Sequence, residues 1–315
     1  MHLSFNKCNL VFAGLARDCA RTVEKNIASI LSLCDDPRVE SLQLFIAEND
    51  SQDQTRSLLA SIERRFEQIQ LVLLPSLDTV FPSRVARIAY CRQYLLGVIA
   101  DKVDLDSSSN ILYIPIDLDS EIFSTVNGDL FVRTCLLLLS NACLDAIFPS
   151  SSPFYYDVLA LRASGWCSSD CMYDLRKFTR FGSQFISLLG YLWLIARRQK
   201  SSAKLAATAD LIPVQSAFGG LGIYRAEAIS VAKYFNSFWS HEVYAHSNEH
   251  VIFNGYIHNK VIATKLTIDA PKEHIQLRIY GFRLLAMKLA ASLRDDLISA
   301  FARLSSWISF FAVRR

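Results

Sequence analysis

Short apolar runs alternate with amphipathic segments along about the first 120 residues of the chain. The runs lie at residues 9–15, 42–47, 69–74 and from residue 111 onward, and their content of β-branched and aromatic residues is typical of buried strands. Between them, apolar residues recur at helical spacing, for instance over residues 84–100. Strands that alternate with helices of this length predict an α/β fold, in which a mostly parallel sheet carries helices on both faces.

Two carboxylates close the last of these runs. Within residues 111–123 (ILYIPIDLDSEIF), Asp117 and Asp119 follow the apolar positions. In an extended chain, residues i and i+2 point to the same side, so these carboxylates would repel each other unless a cation lay between them. Oxygen ligands of this kind suit Mg²⁺ or Mn²⁺. A solvated pair of charges at the end of a strand is the alternative.

Polar side chains also follow the first two runs, at the strand ends where ligands bind in open α/β sheets. Arg17 and Asp18 follow the first run, and residues 48–55 (ENDSQDQT) follow the second. The second stretch, which includes Asp53, offers acceptors to ribose hydroxyls or to base edges. The alternative is that it only caps the helix that comes after it.

The segment at residues 84–100 is basic on one side, because it carries Arg84, Arg87 and Arg92. Guanidinium groups match the geometry of phosphate oxygens, so Arg87 and Arg92 are candidate phosphate donors. Exposed arginines on an ordinary amphipathic helix are the alternative.

Composition narrows the class of protein. The 315-residue chain is 51% hydrophobic and 20% charged, which excludes a disordered protein and allows a sizeable core. A net charge of +3 gives no indication of nucleic-acid binding. The eight cysteines are scattered without the paired spacing of a zinc site, which favours free thiols and a cytoplasmic location. Residues 1–14 are expected to lead into the first strand and not to form a signal peptide.

Four further segments carry candidate chemistry. Residues 155–162 (YYDVLALR) predict another strand, which carries Asp157. Residues 163–180 predict a long loop of the kind that forms lids. A glycine cluster at residues 219–222 favours either close approach of the backbone to a ligand or an ordinary turn. The remaining polar candidates are Asp170 and Asp174 in the loop, and His241, Glu242, His246, Glu249, His250 and His258 further on.

The last part of the chain, residues 276–315, repeats apolar residues at helical spacing together with seven arginines and lysines. A basic amphipathic helix with Trp and Phe can lie on a membrane surface, and a helical hairpin that packs on the first domain or forms a dimer is the alternative. Residues 185–196, which are followed by basic residues, allow the same two interpretations. No apolar run reaches the about 18 residues of a transmembrane helix. We therefore expect one domain at residues 1–270 and a helical extension at 271–315.

Several of these stretches occur in an order that resembles a known family. They are AGLARD at residues 13–18, AENDSxDxT at 47–55, RxxxCR at 87–92 and DLD at 117–119, with further blocks at 155–162, 218–224 and 248–254. Together they resemble nucleotide-sugar-dependent glycosyltransferases of the GT-A type, and in detail the family that includes fungal capsule-associated α-1,3-mannosyltransferases and their bacterial relatives. The chain departs from that family at Gln93, where members often have Asn, and at Asn248, where they often have Cys.

The resemblance implies a GT-A, Rossmann-like fold and a role for each matching residue. It places the nucleotide near Ala13, Arg17, Glu48 and Asp53. It also implies that Arg87 and Arg92 face the diphosphate, that Gly220 forms a sugar-facing turn, and that Asp117 and Asp119 hold a metal ion, with His250 as third ligand and Glu249 as the alternative. Asp157 and Glu249 are the candidate catalytic residues. Glu249 is the candidate general base if the enzyme inverts; if it retains, as the mannosyltransferase resemblance suggests, the departing diphosphate takes the proton and no dedicated base is required.

The function that the resemblance implies is transfer of a hexose, with mannose as the family-based choice, from a GDP- or UDP-linked sugar to a glycan or lipid-linked acceptor. Mn²⁺ or Mg²⁺ would assist, and a lipid-linked acceptor would make attachment to the inner face of the membrane useful. Two alternatives stay open at this point. One is a nucleotidyltransferase, although residues 13–17 are poor in glycine for its phosphate loop. The other is a non-catalytic sugar- or partner-binding relative, although Asp117 and Asp119 are both present.

Overall fold

A computed structural model gives the fold. It describes residues 6–81, 83–105, 110–170, 173–174, 184–235, 248–272 and 274–275.

An eight-stranded sheet forms the centre of the described structure, in the order β3-β2-β1-β4-β7-β5-β8-β6. Strands β6 and β7 run opposite to the other six. The strands are β1 (Cys8–Ala16), β2 (Val39–Glu48), β3 (Ile69–Leu73), β4 (Ile111–Asp117), β5 (Ala146–Ser152), β6 (Leu211–Val214), β7 (Ile223–Arg225) and β8 (Lys260–Asp269). The α-helices are α1 (Val23–Leu31), α2 (Thr55–Glu63), α3 (Arg84–Lys102), α4 (Gly128–Ser140), α5 (Gln184–Arg198), α6 (Ser202–Ala206) and α7 (Glu249–Asn254).

Helices pack on both faces of this sheet, as the alternation along the chain predicts. On one face Phe12 of β1 contacts Phe131 of α4, with ring centroids 6.0 Å apart. On the other face Val11 and Ala13 of β1 belong to a buried cluster that includes Leu95 of α3. Successive residues of a strand point to opposite faces, so β1 is apolar from Leu10 to Ala16 because both of its faces are covered. The predicted α/β fold with a mostly parallel sheet is confirmed.

Strand β1 lies between β2 and β4, and all three run in the same direction. In this register Ala16 is the partner of Glu48, and Leu15 is the partner of Asp117. The polar residues that follow the three strands therefore meet at one edge of the sheet. This edge is where ligands bind in open α/β folds.

The segment at residues 155–162 is not the strand that its apolar pattern predicts. The strand of this region is β5, and the residues after it form turns. Side chains satisfy the backbone there, since the Tyr156 N–H donates to Ser151 Oγ at 3.1 Å and the Ala160 N–H donates to Asp157 Oδ1 at 3.3 Å. An apolar run indicates that a segment is buried, but it does not by itself distinguish a strand from a buried turn.

Two compact units make up the chain. One comprises residues 1–174 and 197–271, and the other comprises residues 175–196 and 272–315. The division after residue 271 falls next to the predicted boundary, but residues 175–196 join the second unit although they are distant in sequence. The predicted helices at 276–315 lie outside the described residues. Among the residues that the structure describes, no helix has the length and apolar character needed to cross a membrane.

One buried side chain ties the turn after β4 to α1. Asn26 is 0% exposed. Its amide donates to Ser120 O at 2.7 Å, and its Oδ1 accepts the N–H groups of Phe123 and Ser124 at 2.9 and 3.1 Å. A single amide therefore makes three of the hydrogen bonds that hold the backbone of the turn after β4, and Thr22 Oγ1 adds another by donating to Leu118 O at 3.0 Å.

We expect Asn26→Ala to lower the free energy of unfolding by about 2–4 kcal/mol, because it removes three hydrogen bonds and leaves buried backbone groups unpaired. Urea denaturation followed by circular dichroism measures this. Gln54→Ala is the control: Gln54 is exposed and its side chain makes no capping bond, so a change within about 0.5 kcal/mol is expected. Equal effects of the two substitutions would contradict the role given to Asn26.

Candidate active site

The sequence Asp117-Leu118-Asp119 forms the end of β4 and the start of the turn that follows. The Asp117 N–H donates to Gly220 O at 2.9 Å. Leu118 is 0% exposed and lies over Gly14, where an added Cβ would come within 2.6 Å of its Cδ1. The absence of a side chain at Gly14 thus lets Leu118 insert, and Asp119 is left exposed at the surface. The chain leaves the strand at Asp117, so this turn, and not strand alternation, directs Asp119.

Several acidic groups converge on Asp117. Its side chain is 35% accessible, and its pKa is raised to about 7. Burial is the largest cause, Arg92 opposes it, and the negative charges of Asp119, Glu249 and Asp157 add to it. Four of the predicted site carboxylates therefore lie close enough together to interact electrostatically.

Arg92 of α3 is the cation that balances this cluster. Its side chain is 3% exposed, and its Nη2 lies 2.5 Å from Asp117 Oδ1 while its Nε lies 3.5 Å from Glu249 Oε1. The guanidinium carbon also lies 4.9 Å from the centre of the Phe218 ring, in a cation–π contact. The prediction that Arg92 faces a diphosphate needs correction, because this side chain is buried and directed at carboxylates.

Glu249 and His250 open helix α7. The His250 N–H donates to Asn248 Oδ1 at 2.9 Å, so Asn248 caps the helix. The imidazole is 1% exposed and stacks on Phe218 with ring centroids 3.5 Å apart. Burial, with the nearby Arg92 charge as a second cause, holds the pKa of His250 well below its ordinary value, while burial raises that of Glu249. Neither ring nitrogen of His250 has a hydrogen-bond partner within the described part of the chain.

The carboxylate oxygens of Asp117 and Asp119 are ligands of the kind that a hard divalent cation prefers. Asp119 is an exposed carboxylate to which the described residues give no hydrogen bond, and Asp117 has one oxygen in an ion pair. Among the described residues, no group of three or more His, Cys, Asp or Glu side chains is arranged to hold a metal ion. Asp117 and Asp119 thus fit as protein ligands of an ion that takes its other ligands from a substrate, and His250 as a further ligand stays a prediction.

Side chains after β2 hold the loop that follows β1. Three consecutive backbone N–H groups of that loop donate to the β2–α2 loop: Asp18 to Ser51 Oγ at 3.1 Å, Cys19 to Thr55 Oγ1 at 2.8 Å and Ala20 to Asp53 Oδ2 at 3.1 Å. Asp53 also accepts the Thr55 N–H at 2.9 Å, which is the capping role considered as the alternative. The sequence indicates the capping, but nothing in it shows that the partners lie in another loop.

Glu48 does not offer free acceptors to a ribose. It is 0% exposed, its Oε1 accepts the Ser51 N–H at 3.0 Å, and its Oε2 accepts from Arg56 Nε at 2.6 Å. Ala13 is likewise 2% exposed and lies inside β1, where it is paired with both neighbouring strands. Both predictions of nucleotide contact need correction, because these positions are part of the interior.

Arg17 and Arg87 share one carboxylate. The Arg17 Nη1 and Nη2 groups donate to Asp78 at 3.2 and 3.1 Å, and Arg87 Nε lies 3.2 Å from the same side chain. Asp18 is a second carboxylate partner of Arg17, with its Oδ2 3.6 Å from Arg17 Nε, so two carboxylates balance the two cations. The hydrogen bond from Arg17 and the charges of Arg17 and Arg87 hold the pKa of Asp78 below its ordinary value. Asp78 follows β3 and was not among the predicted site residues, although the strand-end rule that indicated Asp117 could have found it.

Gly219 and Gly220 form a turn that only glycine adopts readily, with φ of 68° and 82°. The Gly219 N–H donates to Asp157 Oδ2 at 3.0 Å, and an added Cβ on Gly220 would come within 2.7 Å of Tyr156 Oη. Asp157 therefore holds the turn against the end of β4.

The remaining polar candidates do not join the carboxylate cluster in the described structure. Asp170 forms an ion pair with Arg162, and Asp174 forms one with Arg198 at 2.6 Å, so both stabilise the loop after residue 162. His258 is exposed. His241, Glu242 and His246 lie outside the described residues.

Comparison with known proteins gives similarity of structure only. No protein-family model matches the chain, and no curated protein sequence matches it. It is similar to S. aureus TarS 1–349, with 12% sequence identity, coverage of 89% of this chain and 64% of that chain, and a TM-score of 0.43. For M. tuberculosis glucosyl-3-phosphoglycerate synthase the identity is 14%, the coverage is 70% of this chain and 58% of that chain, and the TM-score is 0.34. For GalNAc-T7 with UDP, GalNAc and Mn²⁺ the identity is 9%, the coverage is 84% of this chain and 44% of that chain, and the TM-score is 0.46.

The chain spans less than two thirds of each of these three structures. All three TM-scores are below 0.5, so these similarities carry no argument about function. The function must therefore be argued from the residues of the site.

Removing Arg92 should unbalance the carboxylate cluster. At a pH of about 8, we expect Arg92→Met to lower the free energy of unfolding by about 3–5 kcal/mol, because buried carboxylates lose their cation while side-chain volume is largely kept. Lys25→Met is the matched control, since Lys25 pairs with Glu121 at 2.7 Å on the surface and such pairs contribute about 0–1 kcal/mol. Urea denaturation of both variants checks this, and a loss at Arg92 no larger than at Lys25 would refute the assignment.

Proposed function

We propose that the chain is a metal-dependent glycosyltransferase, which transfers a hexose from a nucleoside diphosphate sugar. The observation that carries the proposal is the Asp117–Asp119 turn: an exposed carboxylate without a hydrogen bond among the described residues lies beside a half-buried one. This turn lies at the edge where β1, β2 and β4 end. The ordered set of motifs in the sequence supports the same class of enzyme.

In this proposal Asp119, with Asp117 beside it, would hold Mn²⁺ or Mg²⁺, and His250 is the proposed further ligand. When bound, the metal supplies Lewis-acid neutralisation of the charge on the departing diphosphate. Arg92 keeps Asp117 in place through the ion pair at 2.5 Å. Its role is to position the carboxylate and not to bind phosphate.

The nucleotide would lie over the loops after β1 and β2. Arg17 is 34% exposed, and Arg87 contacts the same carboxylate of Asp78, so these two guanidinium groups are the proposed contacts for the diphosphate. Asp53 holds the β1–α1 loop in shape and remains exposed for a ribose hydroxyl. GDP- and UDP-linked donors both fit these contacts, and mannose is the sugar that the family resemblance favours.

Glu249 and Asp157 are the proposed groups on the acceptor side. For transfer with inversion, Glu249 is the proposed base for the acceptor hydroxyl, and burial raises the pKa of this carboxylate. For transfer with retention, the departing diphosphate would take the proton. Asp157 holds the Gly219–Gly220 turn toward the site. The acceptor we propose is a glycan or a lipid-linked glycan, handled by a cytoplasmic enzyme at the inner face of the membrane.

One observation favours a second candidate, a sugar-binding relative without catalysis. Arg92 already neutralises Asp117, and the described residues form no three-ligand metal group. Such a protein would bind a sugar or a nucleotide without needing the metal.

The test is donor turnover in the presence of Mn²⁺ across a panel of UDP- and GDP-sugars, measured as release of the nucleoside diphosphate. We expect Asp119→Ala to reduce turnover by about 100-fold or more, since it removes a metal ligand. Asp101→Ala is the control, because Asp101 is exposed on α3 and its loss should leave turnover unchanged. Metal-independent nucleotide binding without turnover would identify the non-catalytic relative, and no nucleotide binding at all would refute both candidates.

A further inference from the structure

A cavity of about 490 Å³ opens in the first compact unit, on the segment that follows residue 162. Its lining includes Ser164, Trp166, Lys200, Lys204 and Thr208. This volume falls within the range of about 300–1,000 Å³ that is usual for small-molecule sites. None of these residues belongs to the carboxylate site described above.

Lys200 and Lys204 give the lining of the cavity two positive charges. Lys200 and Lys204 are exposed, and no carboxylate within the described ranges forms an ion pair with either of them. By contrast, Lys265 on the neighbouring strand β8 pairs with Asp210 at 3.0 Å. Two lysines on the lining of one cavity favour an anionic ligand over a neutral one.

Trp166 gives the cavity a fixed aromatic wall. Its indole N–H donates to Arg198 O at 2.6 Å, and its ring meets the buried Tyr155 ring at 5.4 Å and 75°. The Lys200 ammonium lies 5.1 Å from the centre of the indole ring, in a cation–π contact. A rigid apolar surface therefore stands directly beside a cation. Hydroxyl groups of Ser164 and Thr208 add polar contacts at the lining.

Tyr155 connects this cavity to the candidate active site. Its ring contacts Trp166, and its Oη accepts the Phe218 N–H at 3.4 Å, next to the Gly219–Gly220 turn. Gly220 O in turn accepts the Asp117 N–H. A single buried side chain thus separates the wall of the cavity from the turn that borders the carboxylates.

We propose that this cavity binds a saccharide that carries a phosphate or a carboxylate group. The indole would face the sugar ring, and Lys200 and Lys204 would pair with the anion. Phosphate and carboxylate share the chemistry that two ammonium groups recognise, and a neutral sugar lacks it. That the cavity is the acceptor site of the enzyme rests on the proposed function, whereas the binding itself does not.

Calorimetric titration of the full chain with a hexose 6-phosphate, a hexuronate, the neutral hexose and inorganic phosphate tests the proposal. We expect at least one of the two anionic sugars to bind about tenfold or more tightly than both the neutral hexose and inorganic phosphate. The better of the two identifies the anion. Equal binding of the anionic and neutral sugars, or of inorganic phosphate and the anionic sugars, would overturn the proposal.

Substitutions in the lining of the cavity test whether the anionic sugar binds there. The double variant Lys200→Gln, Lys204→Gln should bind the anionic sugar about tenfold more weakly, and the control Lys102→Gln, which removes an exposed lysine at the end of α3, should stay within about twofold of wild type. Trp166→Phe should weaken binding of the anionic sugar and leave that of inorganic phosphate unchanged. Unaltered binding by the double variant would overturn the proposal.

Asp119→Ala separates this proposal from the proposed function, because it should abolish donor turnover and leave binding of the anionic sugar intact. Loss of both in a folded Asp119→Ala variant would show that the sugar binds at the carboxylates and not in this cavity.

Discussion

The site depends on one buried cation among several carboxylates. Arg92 is almost fully enclosed, yet it reaches Asp117 at the end of β4 and Glu249 at the start of α7. A buried charge is costly unless it is paired, and here each partner makes the burial of the other tolerable. Elements that are distant in sequence are therefore joined at the point where the proposed chemistry takes place. The same interaction restrains the carboxylate that the proposed metal ion requires.

Around this ion pair, the edge of the sheet is built from loops that hold one another. Asp18 and Asp50 adopt positive φ angles of 50° and 54°, which costs about 1–2 kcal/mol for a residue with a side chain. Hydrogen bonds offset that cost: the Gln52 N–H donates to Asp18 Oδ1 at 2.7 Å, and the Leu77 N–H donates to Asp50 Oδ2 at 3.0 Å. The loops after β1, β2 and β3 consequently form one connected surface. A surface of this kind can present Arg17 and Asp53 in fixed positions to a ligand.

Much of the fold follows from the pattern of apolar positions, and less of the site does. Strands β1 to β4 were predictable because each contains a short apolar run, and helix α3 was predictable because its apolar residues recur at helical spacing. The strand-end rule also placed Asp117 and Asp119 at the edge where β1, β2 and β4 end, and their role as metal ligands stays a prediction. The rule failed for Glu48, which is buried. Ala13, which the family resemblance indicated, and Arg92, which the basic side of α3 indicated, are buried as well.

The failures share a physical cause. Whether an arginine on an amphipathic helix faces solvent or a buried carboxylate depends on which strand lies beneath it, and sequence spacing contains no such information. The hydrogen bonds between the β1–α1 and β2–α2 loops escaped prediction for the same reason. The cavity beside Trp166 is assembled from residues 163–166 and 200–212, which no single motif connects.

The most direct measurement is crystallographic. Crystals of the full chain grown with Mn²⁺ and a nucleoside diphosphate, measured at the manganese absorption edge, would locate the ion by its anomalous scattering. The account predicts a manganese peak at coordination distance from the Asp119 carboxylate and from oxygens of the diphosphate. A nucleotide bound at this edge with no manganese beside Asp119, or manganese bound elsewhere in the chain, would contradict it.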